Sequence, residues 1–438
     1  MVKTKLTQAD FDAMREQYAK SPRNRVLQRS VMRNGINNTA RDNRVVENLN
    51  HVYSVQVDTG KVSNQKQSGR CWLFSLLNTL KHNFAQRYDT KDFELSQSYL
   101  FFWDKVERAN IFYDRILDTA DKPFDDRELR CYLGAPGSDG GEWAMAVALV
   151  QKYGVMPTSA FPESKVTNST SDLNEVLNRK MRRDAMVLRD MVHAGKSDED
   201  IKSQRMAMLK EVYRIAGYAC GVPPETFDFE YRDDKKKYHL DAGITPKEFL
   251  DKYFTINLDD YVVLGNYPNR KMEQLFINPA ADNVVGGRHV GFLNMPMDVL
   301  KQTVIDQLKD GETVWFANTV TEQSDRQGGL LDNDLYRRDK LFDIDMNMSK
   351  AQRLDYYDNI PNHAMTLTGV DLVNDKPTKW KVENSWGEKV GEKGYFVMAD
   401  NWMDSNVFEV IVNKKYLTAA QRELLDQKPV VLDPWAAV

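Results

Sequence analysis

The sequence predicts an α+β protein with a helical first part, a β-rich last part and a helical block inserted between them. Three observations predict it. Leu73, Leu76, Leu77, Leu80 and Phe84 form one helical stripe directly after Cys71. The stretches "DLNEVLNRKMRRDAMVLRDMV" and "DEDIKSQRMAMLKEVYRIAGYACG" are charged, Met-containing and helical in pattern. Beyond Thr245, "VVLGNY", "TVWFANTV", "AMTLTGVDLV", "TKWKVENSW", "GYFVMAD" and "FEVIVNK" are short and rich in β-branched and aromatic residues, as sheet or barrel strands are.

Taken in order, the first helix runs from Gln8 to Ala19, with Thr7 as N-cap and Asp10 reaching back as in a capping box. From Pro22 to about Asn50 the chain is polar and weakly patterned. "VYSVQVDTGKVSNQ" alternates around Asp58-Thr59-Gly60, the pattern of a hairpin. The helix from Cys71 follows. "SDGGEWAMAVALVQKYGVMP" reads as a Gly-Gly turn, a helix, and a stop at Gly154 and Pro157. "FDFEYRDDKKKYHLD" reads as a second hairpin with a solvated, charged tip. A helix from Thr418 to Asp426 leads into the extended tail "QKPVVLDPWAAV". The predicted segments are 1–60 (extension and hairpin), 61–160 (helical lobe), 161–250 (helical insertion), 251–415 (β-rich lobe) and 416–438 (helix and tail).

Composition narrows the function. Of 438 residues, 42% are hydrophobic and 28% charged, the balance of a globular protein. A net charge of -4 argues against a general binder of nucleic acid or anionic membrane. No segment approaches the ~20 apolar residues of a membrane span, and the opening residues hold no apolar run of signal-peptide length. Cys71, Cys131 and Cys220 are too few and too scattered for a disulfide framework or a CxxC metal site. His51, His82, His193, His239 and His289 show no metal-ligand spacing, so neither metal nor cofactor is expected. The expectation is a protein of a reducing cytoplasm.

Cys71 by itself fits a buried small hydrophobe as well as a nucleophile. A thiol attacks as thiolate, and two devices favour that form: the positive end of a helix and a neighbouring imidazolium. Cys71 opens a helix. His363 in "NHAMTLTGVD" stands at the edge of a predicted strand, and Asn384 in "VENSWGEKVGEKGY" at the end of the next. A turn near Asn374-Asp375 would bring the two together. The Gln65 amide and the Cys71 N–H could form an oxyanion hole.

The blocks "QKQSGRCW", "SDGGEW", "NHA" and "ENSWGEKVGEKGY", in that order, resemble the papain-like cysteine peptidases. "LNRKMRRDA" and "NPAADNVVGGRHVGFLNMPMDV" resemble the intracellular branch, bleomycin hydrolase and bacterial aminopeptidase C, and the resemblance runs over nearly the whole chain. It implies a two-lobe fold with a β-barrel-like second lobe, and an intracellular aminopeptidase acting on short peptides. Cys71 would be nucleophile, His363 general base and acid, Asn384 the orienting residue, Gln65 the oxyanion donor. Gly140 and Gly141 would meet the extended substrate, Trp386 would shield the Asn384–His363 bond, and Trp143 would lie at the cleft. Secreted relatives carry a disulfide where Ser68 and Ser138 stand, and losing both cysteines fits a reducing compartment. Cys71 and His363 stand 292 positions apart (71 to 363), about twice the spacing in papain, and the excess matches the insertion.

The same resemblance implies a homohexameric cage, with the insertion in subunit contacts, and a C-terminal tail in the cleft. There the Val438 carboxylate would meet the substrate's N-terminal ammonium. Beside its relatives' tails this one is a residue short, with Trp435 in place of Met. That keeps open an oligo-endopeptidase on the same scaffold. A silent cage or binding protein is disfavoured by the intact Gln65, Cys71, His363 and Asn384, and a transglutaminase-like transferase by Asn384.

Overall fold

The computed structural model describes residues 4–90 and 93–436. Helix Gln8–Lys20 begins at the expected capping box: Asp10 N donates to Thr7 Oγ1 at 3.3 Å, and Thr7 N to Asp10 Oδ2 at 2.7 Å. Although weakly patterned, the next stretch forms helices Pro22–Asn34, Ile36–Ala40 and Asn43–Asn48. They are largely exposed, so no apolar stripe marks them. Their few apolar side chains, Leu27, Val31 and Ala40 among them, pack on Leu335, Tyr336 and Leu341 far along the chain.

The hairpin expected around Asp58-Thr59-Gly60 does not form. Val55–Gln56 instead pairs antiparallel with strand His363–Val373, Val55 facing Val370. The alternating pattern is satisfied by a distant edge rather than a local partner.

Helix Cys71–Tyr88 is buried on nearly all sides, including polar Ser75, Asn78, Lys81 and His82. It packs on helices Gln97–Asp118 and Trp143–Tyr153 and on strand His363–Val373. Helices Gln97–Asp118 and Arg127–Gly134 went unrecognised in the sequence. In the former the contiguous run "YLFFW" hides the helical period, although Ser96 caps the start by accepting from Tyr99 N at 3.1 Å. In the inserted block, helices Ser171–His193 and Asp198–Cys220 pack on each other and on Gln97–Asp118. Leu173, Leu177, Met181, Ala185 and Leu188 form the buried stripe. Strands Phe227–Arg232 and Tyr238–Ile244 make the expected second hairpin.

The six expected strands are antiparallel neighbours within one twelve-stranded mixed sheet, in the order Tyr261–Gly265, Val407–Asn413, Val314–Asn318, His363–Val373, Lys376–Glu383, Tyr395–Ala399. Asn374 and Asp375 join two of them with φ of 52° and 60°, the backbone of a tight two-residue hairpin. After helix Ala419–Glu423 and a 3-10 turn, Val430–Val431 pairs in parallel with Gln274–Ile277, aiming the tail back toward the helical part.

Candidate active site

The loop before the helix is held by a buried cation. Arg70 is fully buried, and its guanidinium donates to both Glu163 carboxylate oxygens at 2.9 Å, to Thr167 O at 2.7 Å and, through Nε, to Ser68 Oγ at 3.0 Å. A planar fork meeting a carboxylate has one good geometry, so the backbone just before Cys71 is fixed. Gly69 N donates to Asp139 Oδ2 at 2.8 Å, and a Cβ on Gly69 would lie 2.6 Å from Asp139 Oδ1. Trp72 Nε1 donates to Asp139 O at 2.8 Å. Asp139 thus ties the loop before Cys71 to the segment that continues into Gly140 and Gly141.

Cys71, half-buried, is the first residue of helix Cys71–Tyr88. It shares a cavity of about 400 Å³ with Gln65, Gly140, Gly141, Trp315 and His363. Burial pushes the thiol up to about 11, opposed by the backbone N–H groups of Ala364 and Trp72 near the sulfur. Burial pushes His363 down to about 4, with Asn384 opposing and Arg326 adding to the shift.

His363 begins its strand and Asn384 follows the end of the next, as expected. His363 Nε2 lies 2.9 Å from Asn384 Oδ1. Ser385 N donates to that same oxygen at 2.8 Å, which identifies it as the acceptor. Nε2 therefore carries the proton and Nδ1 is the nitrogen left for chemistry. The Trp386 ring lies 5.0 Å from the imidazole, tilted by 30°. Gln65 is anchored at both ends: Nε2 donates to Ser68 O at 2.6 Å, and Oε1 accepts from Ser385 Oγ at 2.5 Å.

At two expected positions the structure adds a packing role. Gly141 does not simply leave room for a ligand, because a Cβ there would lie 2.7 Å from the buried Trp72 ring; only at Gly140 would it meet open space. Trp143 is a core residue, edge-on to Trp315 at 6.2 Å, and Trp315 is the tryptophan that lines the cavity. Arg70, Asp139, Glu142 and Trp315 went unnoticed in the sequence. Their signal was adjacency to Cys71 and to the Gly-Gly pair for the first three; Trp315 had none.

Val438 lies outside the described residues. The tail before it runs along the same face. Pro434 O accepts from Cys131 Sγ at 3.3 Å, the Arg127 guanidinium sits 4.2 Å from the Trp435 ring centre, and Ala436 lines a second cavity with Gly140, Gly141 and Glu142. Among the described residues no helix is long and apolar enough to cross a membrane.

The profile of the Peptidase C1-like family matches residues 5–438. Aminopeptidase G of Lactobacillus delbrueckii subsp. lactis is 51% identical, covering 98% of this chain and 97% of its own. Aminopeptidase E of Lactobacillus helveticus is 49% identical, covering 98% of both. The crystal structure of PepW from Lactobacillus rhamnosis HN001 superposes with a TM-score of 0.97 at 48% identity, covering 99% of this chain and 98% of that one. With the fold, the helix-opening cysteine and the histidine facing one cavity, the chain belongs to the Peptidase C1-like family and is a papain-like cysteine peptidase.

Proposed function

We propose an aminopeptidase that releases residues from the free amino end of short peptides by acyl transfer to Cys71. The observation that carries this reading is the shared cavity of Cys71 and His363, with the His363–Asn384 bond fixing the reactive nitrogen. His363 Nδ1 takes the thiol proton as Sγ attacks the peptide carbonyl carbon. Burial disfavours either charge formed alone, but this transfer creates both together, with the thiolate at the first turn of an 18-residue helix. The carbonyl oxygen becomes an oxyanion near the Cys71 N–H and the Gln65 amide. The imidazolium returns its proton to the leaving amine as the C–N bond breaks, leaving a thioester. Water, deprotonated by His363, attacks the thioester and releases the acid, and the proton returns to sulfur.

The amino-end direction is supported by Ala436 beside Gly140 and Gly141 and by the relatives named aminopeptidases. Placement of the Val438 carboxylate at the substrate ammonium belongs to this proposal. So does a cytoplasmic homohexamer whose contacts include segment 161–250, where Val176, Met186, Met206 and Tyr218 are exposed. One observation favours internal cleavage as the second reading: neither Pro434 nor Ala436 lines the cavity around Cys71.

The test is one unstructured peptide, free or acetylated at its N-terminus, with products read by mass spectrometry. Stepwise loss from the free peptide alone supports the aminopeptidase, and internal cuts in both select the second reading. Hydrolysis surviving in Cys71→Ala overturns both.

A further inference from the structure

The second cavity, about 300 Å³, adjoins the nucleophile cavity across Gly140, Gly141 and Glu142, which line both. Glu409, whose charge reaches Glu142, is 5% exposed, its Oε1 accepting from the buried Tyr267 hydroxyl at 2.9 Å. Burial raises both carboxyls, Glu142 well above the usual range with Glu409 adding to it, and Glu409 to about 7. Among the described residues no Lys, Arg or His forms an ion pair with either. Glu142, half-buried at the cavity wall, and the buried Glu409 both disfavour the charged form while no cation is near, and a cation entering beside Glu142 reverses that preference.

A second observation is independent of these charges. Asn278 lines the same cavity, is 2% exposed, and its side-chain Oδ1 accepts no hydrogen bond. A buried acceptor without a donor costs stability unless a ligand supplies one. The two arginines lining this cavity have their guanidinium groups engaged. Arg108 donates to Asp104 at 2.9 Å and Gly140 O at 2.6 Å, and Arg115 to Pro279 O at 3.0 Å and Asp282 O at 2.7 Å. Asp282 is satisfied by Val290 N and His289.

We infer that Glu142, backed by Glu409 and joined by Asn278, forms a specificity subsite for a substrate ammonium group beside the Gly140-Gly141 segment. The inference rests on the peptidase reading above, since a peptide attacked at Cys71 extends over those glycines. The shared chemistry is a primary ammonium, supplied either by the free amino end, which Glu142 would then share with the Val438 carboxylate, or by the side chain of a substrate lysine.

The experiment compares the full-length enzyme with Glu142→Gln on two substrate pairs. The first is leucyl anilide, free or acetylated. The second is lysyl anilide against its norleucine analogue, both with free amino ends. The charge-dependent ratio of kcat/KM in one pair is expected to fall at least about tenfold in the variant. A fall in the first pair assigns the amino end, and a fall in the second assigns the lysyl side chain. Both ratios unchanged overturns the subsite. Iodoacetamide labelling of Cys71 reports whether the centre is assembled. If Glu142→Gln does not fold, Glu409→Gln is the second variant, expected to move the same ratio, and an unmoved ratio there overturns the inference. Failure of the peptidase reading looks different: the wild-type enzyme then cleaves none of the four substrates, or Cys71→Ala still cleaves them.

Discussion

Gly140 and Gly141 adjoin in sequence and line the same cavity, yet alanine at each should do opposite things. Neither has a positive φ, so backbone strain does not enter. At Gly141 the added Cβ would lie 2.7 Å from Trp72 Cδ2 and Cε2. Carbon atoms in contact prefer about 3.5–4.0 Å, so something must move by about 1 Å. Trp72 is fully buried and its Nε1 is bonded to Asp139 O, so the ring cannot give way cheaply. Overpacking of this kind costs about 1–3 kcal/mol. At Gly140 the Cβ would meet no atom within 4 Å and would project into open space at the cavity. Gly140→Ala should therefore melt with the wild type, label normally with iodoacetamide, and lose about tenfold in kcat/KM on peptides. Gly141→Ala should melt lower and label more slowly. Thermal unfolding with labelling and peptide kinetics on both variants makes the assay. A Gly141→Ala protein as stable as wild type, or a Gly140→Ala protein with unimpaired peptide cleavage, would refute the division of roles.

Three further outcomes are expected. His363 is held down at about 4 against its ordinary value of 6.5, so the unfolded chain binds more protons between these values. Stability should fall as pH drops through that window, by on the order of 3 kcal/mol from this residue, and denaturation of His363→Gln should show a flatter pH dependence there. Arg70→Lys keeps the charge but loses the fork on Glu163; a loss of about 1–3 kcal/mol in urea unfolding and slower labelling of Cys71 are expected, and equal stability would argue against the anchor. Asn384→Ala removes the acceptor shared by His363 Nε2 and Ser385 N. Turnover should drop about 100-fold with KM little changed, and an unchanged kcat would count against an orienting role.

What the sequence by itself determined was local or written in a motif. The capping box at Thr7, six of the sheet's twelve strands, the hairpin turn at Asn374-Asp375 and the helix opening at Cys71 follow from caps, periodicity and turn chemistry within a few residues. The order of the Cys, His and Asn blocks carried the family. Only the tertiary structure decided what depends on distant partners. The residues after His51 pair with a strand more than 300 positions away rather than with themselves. The three early helices rest on Leu335 and Tyr336, and helix Gln97–Asp118, buried on most sides, carries no clean stripe. Arg70 became an anchor because Glu163 and Thr167 fold over it. Gly141 became a packing glycine because the Trp72 ring lies against it. Glu142 acquired its character from its surroundings in the fold, first from loss of water and then from the charge of Glu409, a residue 267 positions downstream (142 to 409). Burial, like-charge proximity and van der Waals contact are properties of neighbours in space, and those neighbours exist only once the chain has folded.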